Sequence, residues 1–393
     1  MKILMVNNLA TLHGGAEAMI AQLRRGLEKE GHQVRILCGN EQGNGENIAD
    51  ARFLIGNEES LLMRFMYLFN PFAFLALRRE LRNFQPDVVH LHTISKASPF
   101  ILLPLKNIPT VLTMHDQSLF DATRISDLPL LEPYRKTFSD YFIDKPSLRF
   151  YGEKLRFYIL RRLAKNVDTI LACSDFYANC ARQSGIFPHI ETLHNGIVLA
   201  PPSLMVNFKE ILFVGRLSEE KGISVLLEAV ALLKEKHPDM RLRIVGGGHL
   251  ADKLKEQISG LHIDDIVYLL GYKSPKEIAE LYKQSSLVAV PSLCPDNLPT
   301  VCIEAMAVGR PIVASNLGGI PELVNHEKTG FLVPPNNVGA LTGSIDRLLS
   351  DPELMQEMGS AGRKKAEREF DEKIYRRNTL TQYVRLTSKY LKI

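Results

Sequence analysis

Residues 2–39 read KILMVNNLATLHGGAEAMIAQLRRGLEKEGHQVRILCG, and this stretch decides the fold class. The apolar run at 2–8 predicts a β-strand. The amphipathic stretch at 16–30, followed by Gly31, predicts a helix, and the run at 33–39 predicts a second strand. A strand, a helix and a strand in this order form a β-α-β unit, so we expect the chain to begin as an α/β domain with a parallel sheet.

Similar short apolar runs recur along the whole chain, each typical of a strand that is covered on both faces of a parallel sheet. In the first half they lie at 87–92, 110–116 and 169–174. The stretch 196–210 is rich in Pro and polar residues without helical periodicity, which indicates a linker between domains. A second series follows at 210–216, 241–247, 265–271, 287–292, 311–315 and 330–335. We predict two doubly wound, Rossmann-like domains facing each other across a cleft, which suits a two-part substrate.

The composition is that of a globular protein and excludes several functional classes. The chain has 393 residues, 45% hydrophobic and 23% charged, which suits two domains and excludes a fibrous or largely disordered protein. Lys plus Arg exceed Asp plus Glu by 48 − 44 = 4, too small a surplus to indicate nucleic-acid binding. None of the five Cys forms a CxxC pair, so we expect neither a zinc nor a redox site and place the protein in the reducing cytoplasm.

Two apolar segments bear on export and on membrane insertion. The amino terminus turns polar after six residues, so we expect no export signal. The most apolar segment, Leu61 to Leu77, contains Arg64 and Pro71 and is shorter than the roughly 20 residues that span a bilayer. We interpret this segment as a buried or interfacial helix.

Two glycine-containing loops stand between a predicted strand and a predicted helix. HGGAE (13–17) opens the first helix, where Gly14 and Gly15 allow a ligand close to the backbone and the helix N–H groups favour an anion such as a diphosphate. A tight turn that simply requires glycine explains it equally well. GRLSEEKG (215–222) places Arg216 and Lys221 at a helix N-terminus, against the preference of the helix dipole, which favours a diphosphate site over an exposed polar loop.

The densest signal is PSLCPDNLPTVCIEAMAVGRPIVAS (291–315). Asp296 lies in a loop after a strand, and Glu304 lies eight positions later in a short helix. The intervening N–H groups of Asn297 to Thr300 are placed to bind sugar hydroxyls and phosphate oxygens. Helix capping would explain Asp296 but leaves the Glu304 carboxylate without a partner in apolar surroundings, which favours a functional interpretation.

Three weaker features lie at other strand ends. His115 ends the strand at 110–116, at the expected cleft edge, although a lone His is more often structural. GGIPE (318–322) and VGGGH (245–249) place glycines after strands, where backbone can approach a ligand or simply turn.

Taken together, these motifs resemble the retaining glycosyltransferases of family four, which have the two-Rossmann architecture called GT-B. The resemblance covers nearly the whole chain. It rests on matches that occur in the family's order: HGGAE, QPDVVHLH (85–92), TMHD (113–116), LHNGI (193–197), GRLSEEKG, VGGGH, LLGY (269–272), DNLPTVCIEAMAVG (296–309) and GGIPE. It implies an acceptor domain over 1–195, a nucleotide-sugar domain over 196–375 and a terminal helix at 376–393 that crosses back to the first domain.

The resemblance also implies roles for individual residues. Arg216 and Lys221 would neutralise the donor diphosphate, which Gly15 approaches from the other domain. Glu304 matches the second Glu of the family's carboxylate signature, which holds the ribose hydroxyls. Asp296 stands where the first Glu is expected, and His115 would line the donor sugar. The remaining donor contacts would come from Tyr272, near the nucleobase, and from Asn297, Leu298, Pro299 and Thr300.

The stretch between 117 and 165 lacks the Cys that members of this branch of the family often carry there, so the resemblance does not identify the acceptor substrate. From Arg149 to Lys165 six cations and one anion are interleaved with aromatic residues. Such a helix could lie on an anionic bilayer or could be a solvated basic face over a core stripe, and both interpretations stay open.

We therefore predict an enzyme that transfers a sugar from a nucleoside diphosphate sugar, UDP rather than GDP, to a hydroxyl acceptor with retention of configuration. The acceptor would be a lipid-linked or cell-surface glycan precursor at the inner face of the cell membrane. The absence of a DxD pair predicts that no metal or other cofactor is needed. Two alternatives remain: a GT-B sugar-nucleotide epimerase, and a non-catalytic glycan-binding or scaffold protein.

Overall fold

The computed structural model describes residues 1–12, 15–41, 45–55, 61–115, 148–187, 189–203 and 209–390. Within these ranges the chain forms two compact units. The first unit contains residues 1–115, 148–196 and 372–390, and the second contains 197–371. Each unit is built on a parallel sheet with helices on its faces, so the prediction of two doubly wound α/β domains is confirmed.

The first unit contains a seven-stranded sheet in the order β3-β2-β1-β4-β5-β6-β7. The order reverses between β1 and β4, which makes this pair the topological switch point. The strands are β1 (Lys2–Leu9), β2 (Gln33–Glu41), β3 (Ala51–Phe53), β4 (Val88–Leu91), β5 (Thr110–Met114), β6 (Thr169–Ala172) and β7 (Ile190–Thr192).

The helices of this unit are α1 (Gly15–Lys29), α2 (Leu61–Leu68), α3 (Pro71–Phe84), α4 (Leu148–Leu163) and α5 (Asp175–Gln183), with 3₁₀ turns at Ser95–Ala97, Pro99–Leu105 and Ala164–Asn166. The prediction of a single helix over Leu61 to Leu77 is wrong, because α2 ends and α3 begins within this segment. Asn70 caps α3 by accepting a 3.0 Å hydrogen bond from the Ala73 N–H, and Pro71 occupies the first helical position. Proline lacks the N–H that a continuous helix would use at this point.

The second unit contains a six-stranded sheet in the order β10-β9-β8-β11-β12-β13, with its switch point between β8 and β11. The strands are β8 (Glu210–Val214), β9 (Arg241–Val245), β10 (Val267–Gly271), β11 (Leu287–Val290), β12 (Ile312–Ser315) and β13 (Gly330–Val333). A 3₁₀ turn at Glu219–Lys221 precedes the helices α6 (Ile223–Leu233), α7 (Ala251–Gly260), α8 (Pro275–Gln284), α9 (Thr300–Ala307), α10 (Ile320–Leu323), α11 (Val338–Ser350) and α12 (Pro352–Glu369).

The central strands of both sheets are almost entirely buried because helices cover both of their faces. Every residue of β11 and of β12 is buried, and so is every residue of β4. Strands that are covered on one face only would instead alternate apolar and polar residues.

The last helix, α13 (Glu372–Tyr390), belongs to the first unit and packs against α1. It begins four residues before the expected start at 376. The Arg376 Nε donates to Glu30 at 2.7 Å, and its side chain lies over Gly26, where a Cβ atom would come within 2.5 Å of Arg376 Cδ. Among the described residues, no helix combines the length and the apolar character that crossing a bilayer requires.

Candidate functional site

The two motifs that carry the candidate charged residues follow the two strands at the switch point of the second unit. The loop after β8 carries Arg216 and Lys221, and the loop after β11 carries Asp296. The carboxyl ends of neighbouring parallel strands lie at one edge of a sheet, and ligands of open α/β sheets bind at this position. The sheet order therefore brings together groups that are 75 residues apart in sequence.

Lys221 and Asp296 are bonded to each other. The Lys221 Nζ donates to Asp296 Oδ1 at 2.5 Å, and the Ser292 hydroxyl donates to Asp296 Oδ2 at 2.7 Å. Both side chains of the ion pair are 22% exposed, so they are shielded enough to be ordered and open enough for a ligand to reach. The helix-capping explanation for Asp296 does not hold, because α9 begins after Pro299 without a side-chain cap.

Arg216 is oriented toward Glu220, with its Nη2 atom 3.2 Å from Glu220 Oε1. The Arg216 side chain is 69% exposed, whereas the Glu220 side chain is 17% exposed. The guanidinium is therefore accessible to a phosphate from solvent.

Glu304 lies in α9, one helix turn after its first residue. The expectation that its carboxylate lies in apolar surroundings is corrected by two polar neighbours, the side chains of Tyr282 of α8 and of Thr300. The pKa of Glu304 is raised because the carboxyl group is buried, and the neighbouring Tyr282 and Thr300 side chains offset part of that rise. Tyr282 is almost fully buried and did not stand out in the sequence, because only the packing of α8 against α9 brings it to Glu304.

Two glycines hold the surrounding loops at fixed positions. Gly222 has φ +66° directly after Lys221, and a Cβ there would lie 1.9 Å from the Pro291 carbonyl oxygen. Gly318 has φ +62°, and a Cβ there would lie 2.5 Å from the Asp296 carbonyl oxygen. That same oxygen accepts a 2.8 Å hydrogen bond from the Gly319 N–H. The loops after β8, β11 and β12 thus support one another and fix the Asp296 backbone.

The remaining residues predicted in this unit lie around these loops. The Tyr272 side chain is 83% exposed, and its ring lies beside Gly247, where a Cβ would approach Tyr272 Cε2 within 2.3 Å. Asn297 and Pro299 are half-buried and Leu298 is buried in the segment that leads into α9, and Thr300 is the first residue of that helix. The first N–H groups of a helix have no intrahelical partner and suit an anion or a hydroxyl oxygen.

In the first unit, two predicted residues lie at strand ends. Gly15 is exposed at the start of α1, whereas His13 and Gly14 of the same motif lie outside the described residues, as does Asp116. His115 directly follows β5 and is half-buried, and its Nε2 lies 3.1 Å from Nδ1 of His92. His92 is the last residue of the motif QPDVVHLH, and its sequence position alone gives it no role.

Two family models match the chain in succession and leave few residues uncovered. The model described as Glycosyltransferase Family 4 matches residues 13–200, and the model described as Glycosyl transferases group 1 matches residues 202–365. The chain belongs to glycosyltransferase family four.

The relatives of this family-four chain agree with that assignment. A protein of Erwinia amylovora named amylovoran biosynthesis glycosyltransferase AmsK is 31% identical over 67% of the chain and 62% of its own length. Across the first curated relatives, the matched segments span between 36% and 62% of the relative's length.

Two solved structures show the fold over nearly the whole chain. Sucrose-phosphate synthase from Thermosynechococcus elongatus is 20% identical with a TM-score of 0.77, covering 99% of this chain and 100% of that one. The Anabaena protein HepE in complex with UDP is 19% identical with a TM-score of 0.72, covering 97% and 99%. At this identity the similarity establishes the GT-B fold that the sequence predicts.

Proposed function

We propose that the protein is a retaining glycosyltransferase that moves a sugar from a nucleoside diphosphate sugar to a hydroxyl acceptor. The observation that carries this proposal is the Lys221–Asp296 pair at the switch point of the second unit, with Glu304 in the adjoining helix. A cation for phosphate, a carboxylate for sugar hydroxyls and a second carboxylate for ribose hydroxyls are the three groups that this donor requires.

Within this proposal, Lys221 and Arg216 neutralise the diphosphate as its charge develops on departure of the sugar. Donor binding separates the Lys221–Asp296 pair, since the ammonium then turns to phosphate and the carboxylate accepts hydrogen bonds from sugar hydroxyls. Glu304 holds the ribose, and the N–H groups at the start of α9 bind phosphate or sugar oxygens. Gly15 and His115 act from the first unit, with His115 lining the donor sugar.

The configuration is proposed to be retained because Asp296 orients the sugar and does not attack it. The acceptor hydroxyl approaches on the face that the diphosphate leaves. The departing phosphate oxygen takes the hydroxyl proton as the new glycosidic bond forms. Binding that fixes the anomeric carbon in this geometry lowers the barrier without a covalent intermediate.

We propose UDP as the nucleotide and a glycan or lipid-linked precursor as the acceptor. UDP is supported by the HepE complex, and a polysaccharide product is supported by the name of the AmsK relative. None of the five cysteines, all of which lie in the described residues, forms a disulfide, which supports placement in the reducing cytoplasm.

A contact with an anionic membrane is also part of the proposal. In α4, Lys154, Arg161 and Arg162 are exposed, whereas Arg156 is buried and cannot belong to a cationic surface. α2 packs against α4 and adds exposed apolar side chains, with Phe65 64% exposed. Further exposed aromatic or aliphatic residues on the segments around them are Phe69, Phe72, Leu75, Leu155 and Tyr158. Apolar groups beside cations match the interface of an anionic bilayer.

The proposal is tested by incubating the protein with nucleotide sugars and a panel of glycan and lipid-linked acceptors in EDTA. We expect transfer to continue without metal and the product's anomeric proton coupling to show the donor's configuration. Strict dependence on added Mg²⁺ or Mn²⁺ would contradict the metal-free mechanism. Conversion of the donor to an isomeric nucleotide sugar without acceptor would identify an epimerase, and binding without any turnover would identify a scaffold.

A further inference from the structure

Arg310 lies in the loop between α9 and β12 and is fully buried. Its Nε donates to the Tyr282 carbonyl oxygen at 3.2 Å, and its Nη2 donates to the Lys283 carbonyl oxygen at 2.6 Å. The Ser285 hydroxyl supplies a second bond to the Tyr282 oxygen, at 2.8 Å. Both carbonyls belong to the last turn of α8, where helix carbonyls lack intrahelical partners and the helix dipole favours a cation. The guanidinium therefore closes the carboxyl end of α8.

The main chain of the same residue closes α9. The Arg310 N–H donates to the Ala305 carbonyl oxygen at 2.9 Å, and the Gly309 N–H donates to the Met306 carbonyl oxygen at 3.0 Å. Gly309 has φ +76°, the left-handed conformation that glycine adopts readily. These bonds form a Schellman motif, a common way for a helix to end at a glycine. One residue thus ends two helices, α8 through its side chain and α9 through its backbone.

These two helices carry the groups around the Glu304 carboxyl. Glu304 directly precedes Ala305 in α9, and the side chain of Tyr282, from α8, is one of its two polar neighbours. The Tyr282 hydroxyl is buried and forms no hydrogen bond with any other described residue. Because Arg310 bonds the Tyr282 carbonyl, it holds the same residue whose side chain lies beside Glu304.

The chemistry of the guanidinium makes this contact specific. Burial lowers the pKa of Arg310 to about 10, so the side chain is still charged at neutral pH. A buried charge is costly unless hydrogen bonds compensate it, which ties Arg310 to the carbonyls of α8. The donors of a guanidinium form a rigid, planar fork, so they hold two carbonyls in a defined geometry. Apolar packing of α8 against α9 has no such directional preference.

We infer that Arg310 is a positioning residue that holds the ends of α8 and α9 together and thereby sets the Glu304 carboxyl in place for the donor. The inference rests on the proposed function for its consequence, since Glu304 is proposed to hold the ribose hydroxyls. A displaced Glu304 would weaken the ribose contacts. The phosphate contacts of Lys221 would remain, because Lys221 lies in the loop after β8.

The test compares the binding of UDP with that of 2′-deoxy-UDP by isothermal titration calorimetry, because these nucleotides differ only in the ribose 2′-hydroxyl. The wild type should prefer UDP by about tenfold or more, as expected for a hydrogen bond to a charged group. Arg310→Met keeps a long side chain without donors and should lose most of this preference. Arg310→Lys keeps one cationic donor and should retain part of it.

Glu304→Gln shows whether Arg310 acts through Glu304. This variant should lose the preference for UDP directly, and adding Arg310→Met to it should change the preference no further, because residues that act as a unit are not additive. Additive losses, or a wild-type preference in Arg310→Met, would overturn the inference and leave the proposed function in place. Should Arg310→Met not fold, Arg310→Lys decides, and a wild-type preference in that variant would overturn the inference.

Hydrogen exchange followed by mass spectrometry tests the positioning without a nucleotide. Arg310→Met should raise exchange in peptides that cover the ends of α8 and α9. His237→Leu is the matched control, because His237 is also buried and bonds Asp346 at 2.8 Å in the same unit. It should leave those peptides and the preference for UDP unchanged.

The two measurements separate the inference from the proposed function. A wild type that binds neither nucleotide, or binds both equally, would contradict the proposed role of Glu304 in holding the ribose. Raised exchange at α8 and α9 in Arg310→Met would then still support the positioning of Glu304 by Arg310. Unchanged exchange in these helices would overturn it.

Discussion

At the scale of single residues, Lys221 is the group that we propose neutralises the departing diphosphate. Lys221→Ala should lower turnover by about a hundredfold or more, because it removes a charge that strengthens its contact as the transition state forms. Steady-state kinetics check this. Lys234→Ala is the control, since Lys234 forms a comparable 2.6 Å ion pair with Asp265 on the surface of the same unit. A Lys221→Ala enzyme as fast as the control would mean that the diphosphate lies elsewhere.

The role of Asp296 separates two possible mechanisms, because its carboxylate either orients the sugar or attacks it as a nucleophile. Asp296→Asn keeps the shape and one acceptor oxygen but loses the charge, so turnover should fall while the product keeps its anomeric configuration. NMR of the product measures the configuration, and mass spectrometry of the protein shows whether a sugar becomes attached. A covalent glycosyl–Asp296 species would contradict the orienting role and would show that the reaction proceeds by double displacement.

Residues that act through others were the hardest to find in the sequence. Ser292, Tyr282 and His92 contact Asp296, Glu304 and His115 respectively. Ser292 and His92 lie within recognised motifs, but nothing in the spacing of these motifs identifies them as partners of those residues. Their roles depend on which helices and strands pack together, and sequence spacing does not encode that packing. Lys221 and Asp296 were recognisable because charged residues stood at strand ends, where parallel sheets bind ligands.

At the scale of elements, the loops that carry the site depend on glycines in left-handed conformation. Gly318→Ala should lower the free energy of unfolding by at least about 1–2 kcal/mol, from the φ penalty alone, and should displace the Asp296 backbone. Gly343→Ala is the control, since Gly343 lies in α11 with open space around it, and it should stabilise the chain by about 0.5–1 kcal/mol. Urea unfolding measures both. Equal stability of the two variants would mean that the loop is free to adjust.

The helix α4 carries the proposed membrane contact. Replacing Lys154, Arg161 and Arg162 by Gln should weaken binding to anionic vesicles, because cations near such a surface contribute about 1 kcal/mol each. Binding of the wild type should also fall as salt rises, since the screening length is about 10 Å at 0.1 M. Vesicle sedimentation measures both effects. If the triple variant binds vesicles as well as the wild type, the cations of α4 form an ordinary solvated surface and the proposed membrane contact is wrong.

Element prediction succeeded where apolar runs were long and failed where tertiary structure set the element. All the strands predicted from apolar runs are present, but β3 and β7 have three residues each and carry no apolar pattern of their own. Each is an edge strand that forms by pairing with a neighbour, β2 and β6 respectively. Asn70 and Pro71 form a helix-start signal that marks the break between α2 and α3. The sequence prediction missed it because the whole segment is apolar and was interpreted as one helix.

At the scale of the whole molecule, the two units share the same kind of parallel sheet, with the switch point at the equivalent position. Each unit places its switch point between the first strand of its sheet and the strand that begins the second half, β1 with β4 and β8 with β11. The candidate residues Gly15 and Lys221 follow the first strand of their own sheet, and Asp296 follows the later strand of the second. The alternation of strands and helices predicted this arrangement, whereas the donor and acceptor depend on side-chain detail that alternation does not specify.

The most direct test of the account is the thermal unfolding of the wild type and of Lys221→Ala with a panel of nucleoside diphosphate sugars. A ligand at a hundredfold excess over its Kd stabilises the native state by about 2.7 kcal/mol, which raises Tm by roughly 5 °C or more for a unit of this size. The account predicts this rise for UDP sugars with the wild type and a much smaller rise with Lys221→Ala. A wild type whose Tm no nucleoside diphosphate sugar changes, or equal shifts in the two proteins, would contradict it.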